Sequence, residues 1–458
     1  MTYANLEVIG YAILLLLGSF LVLREMIRRG RDVAPKLPPG PMALPIIGHL
    51  HHLGPLLHLA LHKISLKYGG LCYLRLGSVK AVVASTPEAA REIFRTHDAN
   101  FCNRPERNTA IHYLTGGVAK TLIPRTAEQI YIKKISVSEL LGASSGPKYK
   151  AIRTKELHHF LRKIVSKSKA GEMVNLSDEL FKLTNNIISQ AMISKRVSDM
   201  DGVDPTALVR EFTSLLGAFY IADFIGFLKL YDFQGFKKKL AHTRSKCMDM
   251  VERIVREREI DREKLIKRDD KDFLDVLLDS TEDNSELKLS RDHVSVLIME
   301  YIASGTDTIA VPIEWAIGEL INNPRVMNKA REEINRVVGN KRLVEEEDTP
   351  KLPYIKAIIN ESLRLHPPIP VTMRESKTEA TVNGYTLPCR TVALVNLFSI
   401  GRDPEYWKDP LEFKPERFME GEGESYNMMG NLRFEFLPFG AGRRYCSGMY
   451  FAMNVMPV

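Results

Sequence analysis

One cysteine stands where chemistry could use it. Cys446 lies in Phe436–Gly448 (FLPFGAGRRYCSG), a glycine-rich loop with Arg443 and Arg444 just upstream and an apolar run, Met449–Met456, behind it. Gly440 and Gly442 allow positive φ and a close backbone approach to a flat ligand. A helix opening beside Cys446 aims its positive end at the sulfur, and Arg444 adds a full charge; both favour thiolate over thiol. A thiolate held this way can ligate a haem iron axially. The bland alternative is a buried, inert cysteine beside a glycine turn. A phosphate-cradling loop fits less well still, because no G-K-[ST] ending is present.

A second chemical pair lies on a long apolar stretch. Ser290 is a good N-cap with Asp292 in the first turn, and from there Val294–Ile321 reads as one helix carrying Ser304-Gly305-Thr306-Asp307-Thr308. Asp307 and Thr308 supply an acid and a hydroxyl, which proton relay to bound dioxygen requires. Gly305 in mid-helix costs about 1 kcal/mol relative to alanine, a cost that makes sense if something flat lies against the backbone. Pro312 cannot donate to the Thr308 carbonyl, so a kink is expected at this segment.

These groups need a scaffold, and the rest of the chain supplies one that is mainly α with small β-sheets. Leu56–Tyr68 has helical periodicity, with His58 and His62 at i and i+4; lacking a third ligand nearby, they read as an exposed face. Leu71–Ala84 alternates like a strand pair, Pro87–Arg95 is a short helix, and Asn103–Gly117 is a loop with a helix. Leu180–Ala191, Leu208–Phe227 and Phe236–Arg268 read as helices, Asp279–Lys288 and Gly421–Gly430 as polar loops. Thr381–Leu387 around Asn383-Gly384 is a hairpin. Glu361 and Arg364, at i and i+3, share a helix face that Pro367-Pro368 ends.

Composition narrows the class. The 458 residues are 45% hydrophobic, enough for one large domain or two. The five cysteines, Cys72, Cys102, Cys247, Cys389 and Cys446, are odd in number and form no C-x-x-C, so the expected compartment is reducing. The net charge of +8 comes with no nucleic-acid motif; it fits an acidic electron-transfer partner or anionic lipid. Val8–Leu23 is an uncharged run of sixteen residues, followed by Arg24, Arg28, Arg29 and Arg31. It reads as an uncleaved membrane anchor with the body in the cytosol. Lys36–Pro41 (KLPPGP) reads as a stiff linker.

The loop Phe439–Gly448 resembles the cysteine-ligand loop of the cytochrome P-450 superfamily, F-x-x-G-x-R-x-C-x-G, at every fixed position. The resemblance implies that fold, with haem b as cofactor and Cys446 as the iron's axial thiolate. Phe439, Gly440 and Gly448 would cradle the haem, Gly305 would lie against it, and Arg444 and Arg374 would neutralise its propionates. The segment around Asp307-Thr308 resembles the family's A/G-G-x-D/E-T-T/S oxygen-activation motif, with Ser304 and Ile309 as departures. Glu361, Arg364 and Arg417 of Pro415-Glu416-Arg417-Phe418 match E-x-x-R and P-E-R-F and would form a structural network. The family's W-x-x-x-R positions hold Gln129 and Lys133, which leaves one hydrogen bond and a point charge for a propionate. The chain stops twelve residues after Cys446, so the closing hairpin is missing and a C-terminal truncation is expected.

The proline-rich hinge, Leu365-His366-Pro367-Pro368 and Ile400-Gly401-Arg402-Asp403-Pro404 resemble the plant microsomal group. Leu215–Phe227 and Ile369-Pro370-Val371 are similar to its flavonoid-oxidising branch. The implied organisation is an anchor at 1–30, a hinge at 31–48 and a catalytic domain at 49–458. The implied reaction is oxygen insertion into a small hydrophobic substrate at the endoplasmic-reticulum membrane, with electrons from NADPH through a separate reductase. Met299, Ile302, Ala303, Val371 and Thr372 would line the pocket. Two rival readings are an inactive truncated paralogue and a haem-thiolate isomerase or dehydratase; the Asp307-Thr308 pair argues against the second.

Overall fold

The computed structural model describes residues 17–20, 36–105, 108–118, 125–199, 204–263, 271–282, 289–419 and 433–458. Most of the expected anchor and its basic flank, and the loop at 421–430, lie outside these. Among the described residues, the stretch long and apolar enough to cross a membrane is 291–322, and it is mostly buried inside the protein.

Helix α1 (Leu57–Tyr68) leads into β1 (Leu71–Leu76) and β2 (Val79–Ala84), followed by the short α2 (Pro87–Arg91) and α3 (Thr109–Thr115). Then come α4 (Ala127–Ser136), α5 (Lys150–Lys169), α6 (Leu176–Ile193), α7 (Pro205–Leu216), α8 (Phe236–Glu263) and α9 (Phe273–Glu282). Arg291–Ser304 (α10), Asp307–Asn322 (α11), Pro324–Val337 (α12) and Pro353–Leu365 (α13) complete the central helices. Side-chain caps explain many starts: Asn108, Thr126, Asn175, Asp204 and Ser290 each accept a first-turn N–H.

Four strands make the main sheet in the order β1-β2-β6-β3, with β3 at Val371–Glu375 and β6 at Val392–Asn396. β2 runs parallel to β6, Ala81–Ala84 pairing with Val392–Val395, while β1 and β3 pair antiparallel. The expected hairpin is β4 (Ala380–Val382) and β5 (Tyr385–Leu387), with Asn383 at φ 48° and Gly384 at φ 74°. After β6 come the single turn α14 (Leu397–Ile400) and, past the cysteine loop, α15 (Met449–Val455). One large apolar cluster joins the helices, and two smaller ones lie on the faces of the main sheet.

Several sequence expectations need correction. The helix expected over 208–227 stops at Leu216. Beyond Gly217 the polar groups go elsewhere: the Asp223 carboxylate accepts the Thr109 N–H (3.1 Å), and the Phe224 carbonyl accepts the Ser78 N–H (2.8 Å). His58 and His62 are half-buried rather than on an exposed face, both rings packing on Phe398 and His62 Nδ1 lying 2.9 Å from Ser399 Oγ. The KLPPGP segment is docked rather than a free spacer. The Lys36 and Pro39 carbonyls each accept a backbone N–H, from Thr386 and Tyr73, both at 2.9 Å.

The long helix is interrupted at Gly305-Thr306, and Pro312 lies inside regular α11. Hydroxyls explain the break. Ser304, Thr306 and Thr308 each donate to the carbonyl four residues back (Glu300, Ile302 and Ser304) at 2.6 Å, back-bonding that bends helices. Gly305 sits close against a neighbouring helix. A Cβ there would lie 2.9 Å from Ile188 Cγ1 on α6.

Candidate active site

Cys446 is presented by a loop whose backbone the protein grips from two sides. Its N–H donates to the Phe439 carbonyl (3.0 Å), and the Tyr445 N–H donates to that of Gly442 (3.0 Å). Gly440 and Gly442 both hold left-handed φ (67° and 70°). The close approach at Gly442 is to protein: a Cβ there would lie 2.7 Å from the Phe94 carbonyl oxygen and closer still to Asp98 Oδ1. Asp98 accepts the Arg443 N–H (3.0 Å) and its Nη1 (2.9 Å), pinning the loop.

Cys446 is exposed as a residue, although protein atoms crowd around its thiol. That crowding pushes the thiol up from its ordinary range, while the Gly448 N–H at the start of α15 and Lys133 pull the other way. Arg444, expected to hold the thiolate, turns aside and donates through Nε to the Cys102 carbonyl (2.8 Å). The cation that acts on the sulfur is Lys133. Its ammonium donates to the carbonyls of Arg443 (3.2 Å) and Tyr445 (3.3 Å) and lies 3.9 Å from the Tyr445 ring centre. Burial brings it down to about 8, opposed by Cys446 and assisted by Arg444, Arg125 and Arg374. Gln129 is buried one turn earlier on α4. Phe439 packs against the helical core.

Beside the loop lies an unusual concentration of positive charge. Arg374 is buried (2% exposed), with Phe94 under its guanidinium. It donates to Thr372 Oγ1 (3.1 Å) and to the Met373 (3.0 Å) and Arg444 (3.3 Å) carbonyls. Burial, with Arg104 and Arg444 adding, pushes it well below the usual arginine range. Arg444 is brought to about 10 by burial first, then by Arg104 and Arg125. Arg104 and Arg125 carry no motif signature, and nothing in the sequence singled out either.

This set fits a ligand bearing carboxylates. Arg104 Nε and Arg125 Nη1 are buried N–H groups with no hydrogen-bond acceptor among the described residues. Each such donor costs about 1–3 kcal/mol, which an anion relieves. Haem, with two propionates and an iron able to take Cys446, has that chemistry.

Asp307 and Thr308 start α11. Asp307 Oδ2 accepts from Thr213 Oγ1 (2.8 Å) and lines a solvent-open cleft of about 440 Å³ with Ser177, Arg210 and Glu314. Nothing in the sequence marked Thr213 as its partner. Met299, Ile302 and Ala303 lie in the helical core, whereas Val371 packs with the sheet and Thr372 binds Arg374. The expected pocket residues thus belong to separate clusters.

Behind the loop, Glu361 takes Arg364 Nε and Nη2 at 2.7 Å each, Arg417 Nε at 3.0 Å and the Lys414 N–H at 2.8 Å. Arg364 also donates to the carbonyls of Gly401, Pro410 and Glu412. The network ties α13 to the segment leading into the cysteine loop.

Comparison with known proteins agrees with this geometry. The family model described as Cytochrome P450 matches residues 38–458. Cytochrome P450 93B2 of Gerbera hybrida is 48% identical over 430 residues, 92% of this chain and 84% of that protein. The 3,9-dihydroxypterocarpan 6A-monooxygenase of Glycine max is 43% identical, covering 92% and 85%. The 2-hydroxyisoflavanone synthase of the same plant is 39% identical, covering 92% and 82%. A thiol loop gripped by Lys133, a set of buried arginines, and a match along nearly the whole sequence have one explanation: the chain belongs to the cytochrome P450 family of monooxygenases.

Proposed function

We propose that the chain is a plant microsomal monooxygenase that uses haem b, ligated by Cys446, to oxygenate a flavonoid-class phenolic. NADPH supplies the electrons through a separate reductase. The observation that carries the haem reading is the exposed Cys446, in a loop beside arginine N–H groups that have no acceptor among the described residues. The names of relatives acting on isoflavanone and pterocarpan skeletons support the substrate class. The run Val8–Leu23 supports anchoring in the endoplasmic-reticulum membrane with the body at 49–458 in the cytosol.

Bound haem supplies the redox chemistry at oxygen. Cys446 would hold the iron as a thiolate, its thiol proton released to solvent. Lys133 and the Asp98–Arg443 pair fix the loop that carries the sulfur. Arg374 and Arg444 neutralise carboxylates at the haem edge. Asp307 takes protons from the solvent-open cleft, and Thr213 orients its carboxylate. Thr308 Oγ1 donates to the Ser304 carbonyl (2.6 Å), so in a relay its oxygen would accept a proton while its own hydrogen turns away from that carbonyl and passes inward.

The test is the carbon-monoxide difference spectrum of the reduced protein in microsomes. A long-wavelength Soret band that Cys446→Ala abolishes is expected, and an unchanged band in that variant refutes the ligand assignment. With reductase present, flavanones should turn over; activity on terpenoids alone overturns the substrate class.

A further inference from the structure

The sequence places a neutral Gln129 where family members carry a haem-contacting tryptophan, and Lys133 spends its donors on the cysteine loop. Neither residue supplies a bidentate grip on a carboxylate. Arg125 stands just ahead of α4, four residues before Gln129.

Its backbone is fixed from two directions. Thr126, the next residue, caps α4. The Arg125 N–H donates to Asn103 Oδ1 (3.2 Å), and the Asn103 carbonyl accepts from the Glu375 N–H (3.0 Å), beside Arg374 on β3. Arg104, adjacent to Asn103, donates through Nη1 to the Met373 carbonyl (2.9 Å). Asn103 thus gathers three arginines, from two loops and a strand, into one place. The charge of Arg125 is felt at both Lys133 and Arg444. Arg125 Nη1 is buried and has no acceptor among the described residues. A guanidinium placed among like charges with an N–H left over is arranged for a planar anion, and arginine's fork matches a carboxylate as lysine's point charge does not.

We propose that Arg125, supported by Arg104, grips a carboxylate of bound haem in this chain and takes over the anchoring that Gln129 cannot provide. This assignment rests on the haem reading above and adds to it a residue outside the family's motif positions.

The test uses the full chain in detergent micelles and follows haem transfer to excess apomyoglobin at the Soret band. Arg125→Gln should speed haem loss at least tenfold, the worth of one charge-assisted hydrogen bond, while the haem still bound keeps its thiolate spectrum. Arg125→Lys, which retains charge, should fall in between. Haem dimethyl ester, whose carboxylates carry no charge, separates anchoring from folding: with it, the wild type and both variants should lose the group at rates within twofold of one another. Arg125→Gln holding natural haem at the wild-type rate overturns the proposal. So does an acceleration that persists undiminished with the diester. If Arg125→Gln does not fold, Arg125→Lys against wild type with the two haems separates the same two outcomes. A wild-type protein with no Soret band overturns the haem reading itself, an outcome distinct from equal loss rates.

Discussion

The two left-handed glycines of the cysteine loop make a sharp pair of perturbations, because one is hemmed in and the other is not. An alanine at either position takes a backbone conformation that costs an L-residue about 1–2 kcal/mol. At Gly440 the matter ends there, since the nearest atom to an added Cβ is Arg374 Nη2 at 4.0 Å. At Gly442 the Cβ meets the Phe94 carbonyl oxygen at 2.7 Å and overlaps Asp98 Oδ1. Backbone cannot yield as a side-chain tip can, so overpacking adds about 1–3 kcal/mol. If Asp98 moves away, its two bonds to Arg443 weaken, adding about another 1 kcal/mol. Gly442→Ala should therefore cost about 3–6 kcal/mol against about 1–2 kcal/mol for Gly440→Ala. The assay is the fraction of protein giving the thiolate-type carbon-monoxide band across a urea series. Gly442→Ala should lose the band at much lower urea, or show none. Equal sensitivity of the two variants, or the reverse order, refutes the claim that the loop is seated on the Phe94–Asp98 turn.

Other perturbations follow from the same geometry. Glu361→Gln leaves the fully buried Arg364 with an uncompensated charge and should destabilise by about 3–5 kcal/mol; Arg417→Gln, which leaves Arg364 and the Lys414 N–H on Glu361, should cost about 1–2 kcal/mol, both read as urea midpoints. Burial raises the Glu416 carboxyl, but hydrogen bonds from Arg325 and Lys329 override it and hold it at about 2 against an ordinary 4.5. Because the folded value is depressed, its stabilisation is present above pH 4.5 and drains away as pH falls towards 2. Glu416→Gln should therefore lower stability near neutrality, flatten the acid limb of the stability–pH curve within that window, and approach the wild type as pH falls towards 2. Thr213→Val should slow turnover and raise hydrogen-peroxide release and the solvent isotope effect in the direction of Asp307→Asn; wild-type coupling in Thr213→Val removes it as the residue that orients Asp307.

Groups that act through short, ordered spacing were legible in the sequence. The cysteine loop, the Glu361/Arg364/Arg417 set and the Asn383-Gly384 turn each depend on neighbours a few residues away or on a fixed motif order. Groups assembled from distant segments were not. Arg104 and Arg125 become a charge cluster only because Asn103 links their loops to β3, and Thr213 reaches Asp307 from another helix. Lys133 was visible as a cation, but its target depended on how α4 faces the loop. Helix breaks were hidden for a related reason. Proline was the visible breaker, yet three hydroxyls bonding back to their own helix interrupt it at Gly305-Thr306. Beyond Gly217, distant donors, the Thr109 and Ser78 N–H groups, engage Asp223 and Phe224 where the helical pattern ends.

The parallel pairing of β2 with β6 has a consequence in time as well as space. Ala81–Ala84 finds its partner only in Val392–Val395, some 310 residues later in the chain. At about 5–20 residues per second, a ribosome takes roughly 15–60 s to cover that interval. Throughout it, one edge of the β1–β2 hairpin carries unpaired backbone groups and an apolar face, the kind of surface that recruits wrong strands. The sheet therefore closes as a late event of synthesis, and the helices between must wait beside an open edge or be shielded by a chaperone.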